Sequence, residues 1–322
     1  GTQTFICTGF VGLLIFLLEH VGVDTTFLNE ALSNNLFLPC IIFNAAGLAT
    51  AYAGTKHEIR GVETSRSLAF TNDPKVLLVG AIGGVLGYLI FAFENYFSFP
   101  VDTGAVSVIL VGVLGRILFN QEDTYNEKNL DFLEKASPSF WGFQFLIGLA
   151  VSTVMAYFAK ETGLYTIGFS ISALTLIFAL SDPAFPATHH TTLVVGYAMA
   201  QTDNILIAVI FGIIAHFIGL IFGMVLNTDC GTHIDPPAVA IATCSLIIFT
   251  LFAYVFIILY FHRSVCKVFC HKRNKVKRHS EQFFLCIVAI IIFISVIMLS
   301  FDMYIKSICN LSYGSVLYLP YT

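Results

Sequence analysis

Ser181-Asp182-Pro183-Ala184-Phe185-Pro186-Ala187-Thr188-His189-His190 is a polar, proline-broken corner between two apolar runs, and its reading decides the fold. The run before it, Ile167 to Leu180, has the composition of a membrane helix. The run after it, Asn204 to Met224, is a second, with His216 near its middle. A short polar loop then leads to Asp235-Pro236-Pro237-Ala238 at the mouth of the next helix. Most polar groups that the sequence places at membrane depth or at a helix mouth lie in this stretch.

The rest of the chain fits that reading. Its 322 residues are 57% hydrophobic and 11% charged, with mean hydropathy +0.84. Soluble domains carry about 25% charged residues. So much apolar surface does not fit in one soluble core, and an all-α polytopic membrane protein is expected. The net charge of −4 offers nothing to a nucleic acid, and no such partner is expected.

Nine segments are long enough, or nearly so, to cross a bilayer: residues 4–22, 36–53, 76–93, 104–120, 140–159, 164–180, 204–226, 237–261 and 283–303. A span needs about 20 residues. The stretch 185–200 reads as a surface or half-inserted helix and is not counted. With nine spans, the loops between segments two and three, four and five, and eight and nine share one side. That side then holds fourteen of the sixteen lysines and arginines, leaving Lys160 and Lys306 opposite. The positive-inside rule makes it cytosolic or equivalent, with the N-terminus inside and the C-terminal tail outside. The basic loop 263–278 suits acidic lipids.

A repeat is visible. Pro100-Val101-Asp102-Thr103-Gly104-Ala105-Val106 aligns with His233-Ile234-Asp235-Pro236-Pro237-Ala238-Val239. Asn72-Asp73 precedes one span as Asp203-Asn204 precedes another, at offsets of about 130 to 133 residues. Residues 1–120 form the first four-helix repeat, 121–139 an acidic linker, 140–262 the second repeat, and 263–322 the basic loop, a ninth helix and a tail. Under this count both repeats start inside. They are parallel, with a pseudo-two-fold axis along the membrane normal.

Segments six to eight resemble the HPP family of integral membrane proteins, four-span units named for a His-Pro-Pro motif. Gly168-Phe169-Ser170-Ile171-Ser172-Ala173 is similar to that family's small-residue helix, and Asp182-Pro183-Ala184-Phe185-Pro186 to its corner. Ile213-Ile214-Ala215-His216 is similar to its histidine helix, and Asp235-Pro236-Pro237-Ala238 to its last opening. Asp235 stands where the name-giving histidine falls, with His233 two residues earlier. The resemblance covers about 80 residues and implies transport of nitrite or a similar small anion.

The candidate solute path draws on these residues. His216, twelve residues into its span, reads either as a proton-linked or solute-orienting group, or as a neutral histidine bonded to a neighbouring helix. Asp102 and Asp235 read first as helix N-caps and second as paired mouths around the two-fold, where a carboxylate opposes an anion and suits a cation. Thr188 is placed to cap a short helix. His189 and His190 point about 100° apart on a helix, a poor chelate without Asp182 or Asp203. The glycines at 80, 83, 84 and 87, like Gly212 and Gly219, read as packing faces. Cys230 and Cys309 would face the same side, and Asn310-Leu311-Ser312 is a glycosylation sequon.

No nucleophile or complete metal set is legible, so neither an enzyme nor a cofactor is expected. The first functional expectation is a transporter or channel for a small polar solute, with its path between the repeats. The alternative is a structural subunit beside other membrane proteins.

Overall fold

The computed structural model describes residues 1–33, 37–120, 136–182, 185–228 and 230–252. Within them the chain forms ten α-helices: α1 (Thr2–His20), α2 (Thr26–Ser33), α3 (Pro39–Gly54), α4 (Pro74–Tyr96), α5 (Thr103–Phe119), α6 (Pro138–Thr162), α7 (Ile167–Ala179), α8 (His189–Thr202), α9 (Ile205–Asn227) and α10 (Pro236–Phe252). The first eight segments read from the sequence fall on α1, α3, α4, α5, α6, α7, α9 and α10. The ninth, the basic loop 263–278 and the sequon lie outside the described residues.

Four helices, α1, α4, α6 and α9, are long and apolar enough to cross a membrane. Leu77, Val85 and Leu89 on α4 and Leu206 on α9 are exposed, as on a helix whose outer face meets lipid. Side-chain caps set many of the starts. Asp73 accepts from the Lys75 amide, Ser137 from Phe140 and Asn204 from Ile207, each filling a donor that the first turn leaves open. Asn72 (φ 44°) and Asp203 (φ 51°) both adopt the left-handed conformation one residue before a cap. The two positions are 131 residues apart in the sequence, so the repeat extends to backbone geometry.

The direction of each helix follows from its contacts. With the start of α5 taken as the upper end, Arg116 near its lower end bonds Leu226, Asn227 and Thr232, which join α9 to α10. Gly112 faces His233 and Ile234. At the top, the Asp102 amide donates to Ser245 Oγ over 2.9 Å. The start of each helix therefore meets the middle of the other, and α5 and α10 are antiparallel. Lys160 pairs with Asp203, so α6 ends and α9 starts at the upper end. Gly83 and Gly87 press on the Asn44 and Cys40 carbonyls, which runs α3 against α4. Gly212 and Gly219 press on Val195 and His190, which runs α8 against α9.

Helices α1, α3, α4 and α5 thus run up, down, up and down. Helices α7, α8, α9 and α10 run down, up, down and up. The repeats are inverted, and their pseudo-two-fold lies across the bundle, not along the membrane normal. This corrects the parallel arrangement expected from the charge count.

The error has one cause. Helix α7 leaves the upper end, where α6 finished, and α8 returns to it. At 13 and 14 residues each is about 20 Å long, against a hydrocarbon core of about 30 Å. The pair is a hairpin that enters and leaves at one end, not one crossing plus a surface helix. Counting it as one crossing reversed the direction of everything after it. Consequently α10 heads away from the end that carries Lys56, Arg60 and Arg66, and the fourteen-to-two division of charge no longer follows. The second repeat is α7 to α10, with α6 before it and α8 as the counterpart of α3.

Nor does α8 lie on the surface. Thr191, Val194, Ala198 and Met199 have no exposed area. Its neighbours α6, α7 and α9 enclose it.

This topology predicts labelling. With membrane-impermeant thiol reagents, Ser67→Cys and Thr228→Cys should react from one side of a vesicle, and Ser98→Cys and Glu161→Cys from the other. Parallel repeats would move the Thr228 position to the opposite side and leave Glu161 beside Ser98.

Candidate functional site

Both aspartate caps face one cavity of about 530 Å³, lined by α1, α2, α3, α4, α5, α7, α8 and α10. Asp102 Oδ1 accepts from the Ala105 amide at 2.7 Å, and Asp235 Oδ2 from the Ala238 amide at 2.9 Å. The capping reading is therefore correct for both. Each carboxylate also borders the cavity, so the second reading rests on the same atoms. At the top, Tyr197 donates its hydroxyl to Asp102 Oδ2. At the bottom, His233 Nε2 lies 3.4 Å from Asp235 Oδ1.

Helix α8 lines the space between them with His189, Leu193 and Tyr197, one residue per turn. The carboxylates are far apart. Asp235 lies by Gly112, ten residues down α5 from Asp102, which is about 15 Å. The site has two polar stations: Asp102 with Tyr197 above, and Asp235 with His189 at its level below. Phe5, Phe91, Phe169 and Phe249 make much of the wall, and among the described residues no lysine or arginine lines it.

The histidines divide. His189 is 4% exposed, borders the cavity, and has no hydrogen-bond partner on either ring nitrogen. Its ring lies 5.0 Å from Phe5, 6.1 Å from Phe169 and 5.7 Å from His190. His190 and His216 sit behind that wall with parallel rings 6.3 Å apart. His216 Nε2 meets Gln144 Oε1 of α6 at 3.0 Å. It is at mid-span as expected but does not border the cavity, and its partner is a side-chain amide.

Thr188 is buried at the α8 N-cap position and makes no capping bond. Its hydroxyl does not play the expected role. Asp182 is exposed in the α7–α8 corner, away from the cavity lining. Asp203 is held by Lys160 at the far end of α8. The metal arrangement considered for His189 and His190 therefore does not assemble. Among the described residues, no three His, Cys, Asp or Glu side chains form a metal-binding group. His233 borders a small adjoining space with Asp235 and Phe43 and is not in the lining of the larger cavity. Cys230 is buried, while Cys309 lies outside the described residues.

Two residues were missed. Tyr197 carried no signal once α8 was set outside the bundle. Gln144 is one polar residue in the α6 span, and its position seventy-two residues before His216 reveals nothing without the fold.

No curated protein matches the chain, and no solved structure does. A family model described as a family of unknown function, DUF7973, matches residues 30–131 and again 136–261. This supports the tandem repeat and does not name the His-Pro-Pro family. With two tandem matches over most of its length, the chain belongs to the DUF7973 family.

Proposed function

We propose that the protein is a membrane transporter or channel for a small polar solute, with its path through the cavity between the inverted repeats. One observation carries this: the equivalent caps of the two repeats, Asp102 and Asp235, border the same cavity. Inverted repeats whose helix N-termini open on an interior site are a recurrent transporter design, because rocking one repeat on the other exposes the site alternately. The structural-subunit reading gains nothing specific, since the exposed apolar flanks of α4 and α9 suit lipid equally well. The nitrite reading rests on the His-Pro-Pro resemblance alone, and two carboxylates, with no lysine or arginine among the described lining residues, oppose it. No catalytic role is proposed.

The test is uptake into proteoliposomes of nitrite, nitrate, formate and small organic cations, with and without a pH gradient. Saturable uptake of at least one solute is expected. Uptake of none would turn the reading toward the structural subunit. In the same assay His216→Ala should leave the apparent affinity for the solute within about threefold, because that imidazole lies behind the wall. A loss of tenfold or more in affinity would put His216 on the path.

A further inference from the structure

Resting on the transport reading, we infer that the cavity takes an organic cation with N–H donors and an apolar body, an ammonium or guanidinium compound. Charge decides the sign. The helix N-termini at Asp102 and Asp235 would attract an anion by their dipoles. Each is already capped by its own carboxylate, and among the described residues no lysine or arginine lines the space. An anion entering there would lose its hydration and meet two negative groups in a low-dielectric wall.

A bare metal ion fits no better. Calcium takes six to eight oxygens. The two carboxylates lie about 15 Å apart, and each already gives one oxygen to a helix amide.

The wall recognises the rest of such a solute. Phe5, Phe169 and Phe249 border the space, and aromatic rings suit a cation or its apolar body. His189 is the independent sign of a ligand. It is 96% buried, it borders the cavity, and both ring nitrogens lack a partner, although buried polar groups are almost always paired. A neutral imidazole offers one acceptor, which an N–H of the solute supplies with a donor. At the lower station the solute's charge faces Asp235 and its N–H faces His189. At the upper station it faces Asp102 Oδ2, which now accepts from Tyr197. Inversion makes the two carboxylate caps equivalent, so one cation can step between them along α8.

The experiment uses the full chain and labelled benzylguanidinium, which keeps its charge at any usable pH and does not leak across liposomes as a neutral base. The variants are Asp102→Asn and Asp235→Asn, because asparagine caps a helix about as well as aspartate and removes only the charge. Saturable benzylguanidinium uptake is expected, unchanged by a hundredfold excess of nitrite and reduced at least tenfold in each variant. As a second measurement, benzylguanidinium should raise the unfolding temperature of the detergent-solubilised native chain and nitrite should not. That reading stands even if a variant misfolds.

Uptake that persists in both asparagine variants overturns the inference. Saturable nitrite uptake without benzylguanidinium uptake overturns it too and leaves the transport reading intact. Uptake of neither, nor of any other small solute, together with no thermal shift, removes both.

Discussion

Replacing Arg116 with methionine should destabilise the protein by about 3–5 kcal/mol, because several hydrogen bonds from one buried charged donor are lost together and their acceptors are left unpaired. The arginine is 7% exposed. It donates to the Leu226 carbonyl at 2.6 Å, the Thr232 carbonyl at 2.7 Å and Thr232 Oγ1 at 3.2 Å. Hydrogen bonds to a charged group contribute about 1.5–3 kcal/mol each, and they are not fully additive. Methionine fills similar volume, so little of the loss would come from a cavity. It leaves two carbonyls and a hydroxyl buried without that donor. These atoms belong to the connection that delivers Asp235 to the mouth of α10, so the lower station should loosen with them. Arg116→Lys should recover less than half, because an ammonium cannot repeat the planar fork. The measurement is the unfolding midpoint in detergent for all three proteins. A methionine variant within about 0.5 kcal/mol of the native chain would show that Arg116 does not hold the two repeats together.

The same arginine shows why the arrangement was hard to read. In the sequence it is one positive charge at a helix end, and it was counted as a loop charge in the sidedness argument. Only antiparallel α5 and α10 bring it to residues 226–232. What could be read was local. The apolar runs, the caps at Asp102 and Asp235 and the glycine faces of α4 and α9 depend on neighbours in the chain, and each was found where expected. The repeat offset was also legible, since like units keep like spacing even when turned over. Direction was not, because it depends on the parity of crossings, and parity turned on the corner at 181–188. Hydropathy reports which helices face lipid. Helix α8 faces protein on nearly every side, so its threonines and histidines meet other helices and its average resembles a surface segment. That misreading also hid Tyr197 and placed His216 nearer the solute than it is.

The hairpin that misled the crossing count should also be the most sensitive place to alter. The carbonyl of Tyr165, where the chain turns into α7, lies directly over Gly196 of α8. A methyl group there would overlap that carbonyl oxygen. Side chains do not tolerate such contact with backbone, and no rotamer change can relieve it. Gly196→Ala must therefore push the start of α7 off α8 by an ångström or more. Overpacking usually destabilises by about 1–3 kcal/mol, and a clash with backbone belongs toward the upper end. Gly142→Ala on α6 is the comparison, because a methyl group at that position meets nothing within 4 Å. There alanine should raise stability by about 0.5–1 kcal/mol through helix propensity and the lost freedom of the unfolded chain. The functional effects should diverge as well. His189, Leu193 and Tyr197 form one stripe, and shifting α8 against α7 moves the His189 ring off Phe169 and away from the lower station. Benzylguanidinium binding should fall at least tenfold in Gly196→Ala and stay native in Gly142→Ala. Equal stability and equal binding in the two variants would mean that the α7–α8 contact does not position the site, and the stripe on α8 would lose its standing as the link between the two carboxylates.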